Sequence, residues 1–222
     1  MPFHHFPSEF VYWQQVEKHE HFKQELLPKI LEENTITVNN PFKYCKFNTS
    51  FNVDPKTNMK NNTILRDEEL LNHIVVDPID NMMRDYNELG IHRINPSDLI
   101  VFSGWWNVYN KGEFQEEHSH LALPVKVDDR TYFPYLSIVY VLNDESKESS
   151  LVFTKDPPVP FKKLLESYSF NTYEETSIKE GVVMIFPCHL KHLVRPVVND
   201  SRVTIAYNIF ANFETNRDSP TK

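Results

Sequence analysis

Three short segments of this 222-residue chain put histidine or arginine where a metal ion or an anion could be held. The first is Gln115-Glu116-Glu117-His118-Ser119-His120. Side chains alternate faces along an extended backbone, so His118 and His120 would share a face, about 7 Å apart along the strand. Two imidazoles on one face can chelate one metal if a third ligand arrives from a distant strand. The pair alone decides nothing, because histidines in an acidic, polar segment are often simply solvated. The second segment is Phe186-Pro187-Cys188-His189-Leu190-Lys191-His192-Leu193-Val194-Arg195. His192 opens a short apolar stretch after a glycine-led strand and a proline turn, where a strand could start facing a cavity. His189 competes for that role, and either histidine could instead bond a backbone carbonyl. The third segment runs from Arg202 to Phe210. Alternation puts Val203, Ile205, Tyr207 and Ile209 on one face, and Arg202, Thr204, Ala206 and Asn208 on the other. A guanidinium meets a carboxylate through two parallel N–H bonds, and a threonine hydroxyl two residues on can donate to the same group. A wet face with an ordinary ion pair is the plainer explanation of that pattern.

The elements that must position these residues are mostly strands. Leu99–Tyr109, Tyr135–Leu142, Leu151–Phe153, Val182–Phe186 and Arg202–Phe210 are rich in β-branched and aromatic residues. Turn residues punctuate them at Asn110-Lys111-Gly112, Asn143-Asp144, Lys179-Glu180-Gly181 and Asn199-Asp200-Ser201. Many short strands so punctuated predict a sandwich or barrel, a class that includes the jelly roll. Two longer connections, near 121–134 and 154–178, have the length of lids or binding loops.

The first half predicts helices. Trp13, Val16, Phe22, Leu26, Ile30 and Leu31 recur at helical spacing, with Pro28 expected to kink or restart the helix. Residues 34–64 read as loop, with one strand near Tyr44–Phe47. For a second helix, Asp77 fits the N-cap and Pro78 the first helical position. Ile79, Met82, Met83, Tyr86 and Leu89 supply its apolar stripe, and Gly90 its C-terminal cap. The expected class is mostly β with N-terminal helices (α+β), as one domain over 1–222. Within it, 1–98 would be a helical and irregular support, 99–212 the β core and 213–222 a flexible tail.

Bulk properties narrow the function classes. Hydrophobic residues at 40% and charged residues at 24% are ordinary for a soluble globular protein. No apolar run approaches the roughly 18 residues of a membrane span. The opening Met1-Pro2-Phe3-His4-His5 lacks the basic start and apolar stretch of a secretory signal, so Cys45 and Cys188 are expected as free thiols in the cytoplasm. A net charge of −8 argues against broad binding to nucleic acid or anionic membranes.

Taken in order, the segments resemble a known family. Trp105-Trp106-Asn107, the Gly112 turn, Gln115, His118-Ser119-His120, Leu136-Ser137-Ile138-Val139-Tyr140-Val141, Gly181–Pro187, His192 and Arg202–Asn208 follow the pattern of a group of 2-oxoglutarate- and Fe(II)-dependent oxygenases. That group is found in marine bacteria and their tailed phages. The resemblance covers residues 99–212. Ile138 stands where the group has Gly, Val141 where it has Tyr, and Thr204 where it often has Ser, which keeps the hydroxyl.

The resemblance implies a double-stranded β-helix (jelly-roll, cupin-like) core. It implies Fe(II) held by His118, His120 and His192, with His120 where the wider superfamily has Asp or Glu. It also implies 2-oxoglutarate with its far carboxylate on Arg202 and Thr204. Asn107 and Tyr140 could face inward and hydrogen-bond the cosubstrate, or be satisfied polar groups of the barrel interior. Glu117 would orient an imidazole N–H. The reaction would couple dioxygen and the decarboxylation of 2-oxoglutarate to oxidation of a substrate that the sequence does not name. Two other readings stand beside it: a three-His cupin-type dioxygenase that uses no 2-oxoglutarate, and a non-catalytic jelly-roll binding module. The first has no need of Arg202 with Thr204, and the second no need of a metal.

Overall fold

A computed structural model describes residues 9–36, 45–51, 63–88, 99–146, 151–155 and 168–212. In chain order the elements are β1 (Tyr12–Gln15), α1 (His19–Ile36), β2 (Asn48–Thr49), α2 (Glu68–Leu71), a π-helical stretch (Asn72–Val76), α3 (Asp77–Glu88), β3 (Leu99–Tyr109), β4 (Gln115–His118), β5 (Val125–Val127), β6 (Arg130–Asn143), β7 (Leu151–Lys155), β8 (Tyr168–Asn171), β9 (Val182–Pro187), β10 (Lys191–Val194) and β11 (Arg202–Ala211). The larger sheet has the order β1-β9-β6-β11-β3-β2, with β5 hooked onto β6. The smaller sheet has the order β4-β10-β7-β8. Every described pairing is antiparallel. From β3 onward the chain crosses repeatedly between the two sheets, so residues distant in sequence meet in the gap between them.

The larger sheet is buried on both faces, which is why β9 is apolar throughout instead of alternating. One face packs on the helices: Ile138, Tyr140, Val183, Ile185, Ile205 and Tyr207 meet Phe22, Leu26 and Ile30 of α1 and Ile74 and Met82 of the second helical run. The other faces the smaller sheet: Trp105, Val139, Val141, Met184, Phe186 and Ala206 pack with Phe153 and Val194. Among the described residues no helix is long and apolar enough to cross a membrane.

Several local expectations change. Trp13 belongs to strand β1, paired Trp13↔Met184 with β9, and the helix begins only at His19. The helix then continues through Pro28. The strand expected near Tyr44–Phe47 lies at Asn48–Thr49, with Lys46 making an isolated bridge to Phe114. The second helical run starts ten residues early. Asp67 Oδ1 accepts from the Leu70 N–H at 2.9 Å as the N-cap. Asp77 is itself helical (φ −56, ψ −45) at the end of the π stretch, its N–H bonded to Asn72 O. Residues 121–134 are not all loop, since β5 and β6 form a hairpin turning at Asp128 (φ 53) and Asp129. Residues 156–167, Leu89, Gly90 and the tail lie outside the described residues.

Candidate metal centre

The three histidines converge where the smaller sheet faces the larger. Antiparallel pairing sets His118, the last residue of β4, directly opposite His192 of β10. His120 lies just past the strand end, where its N–H donates to Cys188 O at 2.8 Å. One ring nitrogen from each of His118, His120 and His192 lies within 4.8 Å of the other two. His189, the rival ligand, is exposed in the turn before β10 and stands outside that cluster.

Each imidazole is oriented by an oxygen at its other nitrogen. His118 Nδ1 donates to Glu116 O at 2.9 Å, His192 Nδ1 to Leu190 O at 3.1 Å, and His120 Nδ1 to Asn208 Oδ1 at 3.0 Å. These acceptors hold the proton on Nδ1 and leave the Nε2 lone pair for a metal. The Gln115 amide nitrogen lies 3.2 Å from His118 Nε2 while its oxygen takes the Tyr109 hydroxyl at 2.9 Å, so an ion at His118 would displace one hydrogen bond. Burial, and then the neighbouring His118, pushes His120 down to about 3 against its hydrogen bond to Asn208. Burial followed by His118 and His120 drives His192 well below its ordinary value, and burial lowers His118. All three are neutral near pH 7, the form that binds metal.

The same cavity extends to Arg202, Thr204 and Asn107, with Trp105 and Val139 in its walls; its volume is about 20 Å³, room for an ion or a water. Arg202 is 3% exposed and donates from Nε to Asp144 Oδ2 at 3.2 Å; Asp144 is 4% exposed. The guanidinium carbon sits 5.5 Å over the Tyr109 ring, and Nη1 is buried without a hydrogen-bond partner. Thr204 Oγ1 accepts from Asn107 Nδ2 at 3.4 Å, and Asn107 Oδ1 accepts from Thr49 Oγ1 at 2.7 Å.

Two expected roles fail. Tyr140 does not reach the cavity. Its neighbour Val139 lines the wall, so by alternation Tyr140 faces α1, where its hydroxyl lies 2.7 Å from His19 Nδ1. Glu117 orients no imidazole. It stands outside the cavity lining and pairs with Thr154 Oγ1 at 2.6 Å and Lys191 Nζ at 3.3 Å, while the Glu116 carbonyl takes the role. Asp144 and Asn208 are the site residues that sequence reasoning left without a role. Asn208 could have been found from its place on the face of Arg202 and Thr204. Asp144 showed only as a turn residue.

The fold and site together define a two-sheet antiparallel β protein with a three-imidazole cluster between the sheets. No protein-family profile matches the chain, and no curated protein matches it by sequence. Solved structures do match in fold. HygX from Streptomyces hygroscopicus, with nickel and 2-oxoglutarate bound, superposes with a TM-score of 0.55 at 10% identity, over 94% of this chain and 85% of that one. HygX with nickel, 2-oxoglutarate and hygromycin B bound gives 0.53 at 13% identity, over the same shares. AviO1 from Streptomyces viridochromogenes Tue57 gives 0.52 at 11% identity, over 95% of this chain and 93% of that one. At these identities the likeness is one of fold.

Proposed function

We propose that this protein is a 2-oxoglutarate- and Fe(II)-dependent oxygenase with a double-stranded β-helix core. The observation that carries the reading is a single cavity shared by three neutral imidazoles and a buried arginine with one unpartnered amino group. The crossing of the chain between two antiparallel sheets agrees with a jelly roll, and HygX, which has the same fold, holds nickel and 2-oxoglutarate.

The donor set fits the group. Imidazole suits iron, and three protein ligands leave coordination positions open. His118, His120 and His192 would hold the ion through Nε2. Arg202 Nη1 and the Thr204 hydroxyl would hold the far carboxylate of 2-oxoglutarate, with Asn107 fixing the hydroxyl. Iron and 2-oxoglutarate bound together supply, with dioxygen, the oxidation of an organic substrate as 2-oxoglutarate loses carbon dioxide to become succinate. Because the protein ligands are neutral, the anionic cosubstrate would compensate the ion's charge. Asn208 would keep His120 in the ligating tautomer.

Two observations favour a second reading, a three-His dioxygenase that takes no 2-oxoglutarate. The cavity is small, and Asp144 already meets the charge of Arg202. Calorimetry under anaerobic conditions on iron-loaded protein separates the two. Wild type should bind 2-oxoglutarate, and Arg202→Gln, made with Asp144→Asn so that no buried carboxylate is stranded, should bind it far more weakly. Losing one partner of a desolvated charge pair costs about 2–5 kcal/mol, or about thirty- to several-thousand-fold in affinity. Iron binding without 2-oxoglutarate binding in wild type would favour the second reading.

A further inference from the structure

The turn before β9 ties the N-terminal helix to the arginine of the cavity. Glu180 sits in that turn with its side chain 21% exposed. Its Oε1 accepts from Lys23 Nζ at 2.6 Å and lies 3.3 Å from His19 Nε2. Its Oε2 accepts from the backbone N–H of Asp144 at 2.7 Å. Asp144 then accepts from Arg202 Nε at 3.2 Å. Tyr140, on the helix side of β6, holds the other nitrogen of His19 at 2.7 Å.

The backbone pins the same turn. Val16 N–H donates to Gly181 O and Gly181 N–H to Val141 O, each at 2.9 Å. Gly181 has φ +85, and a Cβ there would collide with Gln15 and His19, so the start of α1 sits directly on the turn. Burial pushes the Glu180 carboxyl up, yet the bonds from Lys23, the Asp144 amide and His19 hold it below the usual carboxylate range.

A guanidinium is a rigid planar fork, so fixing Nε fixes the direction of its amino groups. Asp144 takes the Nε–H and leaves Nη1 unpartnered in a residue that lines the cavity. We propose that Asp144, held by Glu180, is the positioning residue that aims Arg202 at the carboxylate of 2-oxoglutarate, and that Lys23 and His19 of α1 lock Glu180 in place. The N-terminal helix is then a working part of the cosubstrate site. This rests on the oxygenase reading above.

Simple charge compensation makes a different prediction, which the choice of variant exposes. Asp144→Asn removes the charge and keeps an acceptor for Nε–H; Asp144→Ala removes both. If Asp144 positions Arg202, the Asn variant binds 2-oxoglutarate at least as tightly as wild type in anaerobic iron-loaded protein. The Ala variant should bind about 10–100-fold more weakly, the usual worth of a partner that orients a binding group. If Asp144 only screens charge, both variants bind more tightly, and the proposal is overturned.

A second readout needs neither metal nor cosubstrate. In ¹⁵N-labelled metal-free protein the Arg202 Nε–H resonance should stand apart and exchange slowly in wild type and Asp144→Asn. It should merge with the exposed arginines in Asp144→Ala and Glu180→Ala. An unchanged resonance in Glu180→Ala, with folding confirmed by its thermal transition, overturns the relay. Should Asp144→Ala fail to fold, Glu180→Ala carries both readouts, because Glu180 lies at the wetter end of the chain of bonds. If the resonances respond as expected and wild type binds no 2-oxoglutarate, the relay stands and the oxygenase reading falls.

Discussion

Acid should unlatch the metal-free protein through its histidine cluster. His192 is 2% exposed, and burial holds its proton affinity well below the ordinary value near 6.5. In the unfolded chain it takes up a proton as pH falls through about 6.5, while the folded form stays neutral, so acid favours unfolding. Its folded value is depressed, so the stability it confers is present above about pH 6.5 and is lost progressively below it. At pH 5.5 the loss is about 1.4 kcal/mol, one pH unit's worth, for a folded form that takes up no proton there. His120, lowered to about 3, adds a similar loss over the window from about 6.5 down to about 3. Together they would cost about 3 kcal/mol at pH 5.5, a large share of the 5–15 kcal/mol that typically holds a domain together. Urea denaturation of wild type and His192→Gln, both with chelator present, at pH 7.5 and 5.5 tests this. Ordinary carboxylate titrations cancel in the comparison, and the stability gap between the two proteins should shift against wild type by about 1.4 kcal/mol on acidification. A gap that stays constant across that range would refute a neutral, buried His192.

Other variants probe the neighbours of the cluster. Asn208→Leu removes the acceptor at His120 Nδ1 and should weaken metal binding about 10–100-fold in a chelator competition, with little change in the fold. His120→Asp restores the common two-histidine, one-carboxylate triad and should retain metal, whereas His118→Ala and His192→Ala should lose it by metal analysis after dialysis. Gly181→Ala forces a side chain onto a backbone at φ +85 and into Gln15 and His19; it should cost about 1–3 kcal/mol, seen as a lower thermal midpoint.

The elements nearest the chemistry were the most legible in the sequence. Strands β3, β9 and β11 were placed within a residue or so because dense β-branched and aromatic runs left few alternatives. The two faces of β11 followed from period two alone. Short elements were harder. β1 has four residues, its partner Ile185 lies far along the chain, and Trp13 with Val16 imitates helical spacing. Asp77-Pro78 looks like a helix start, yet the π stretch carries the second helical run through it from the N-cap at Asp67. At the site, the histidines and Arg202 showed as chemistry-bearing side chains in a particular order. Asp144 did not, because turn composition hides a residue whose importance lies in a partner 58 positions away. Tyr140 faces the helices and not the cavity, as its contact with His19 and the cavity-lining Val139 beside it show; the motif that carries it does not say which face it takes.

The central claim is that one ferrous ion on three histidines shares its cavity with 2-oxoglutarate. The most direct test is an anaerobic titration of the protein with Fe(II) and then 2-oxoglutarate, following the visible charge-transfer absorption that forms only when the keto acid chelates the iron. The band should rise to an end point at one iron and one 2-oxoglutarate per chain, and it should be missing in His192→Ala. Iron bound at one per chain with no such band at saturating 2-oxoglutarate would contradict the claim.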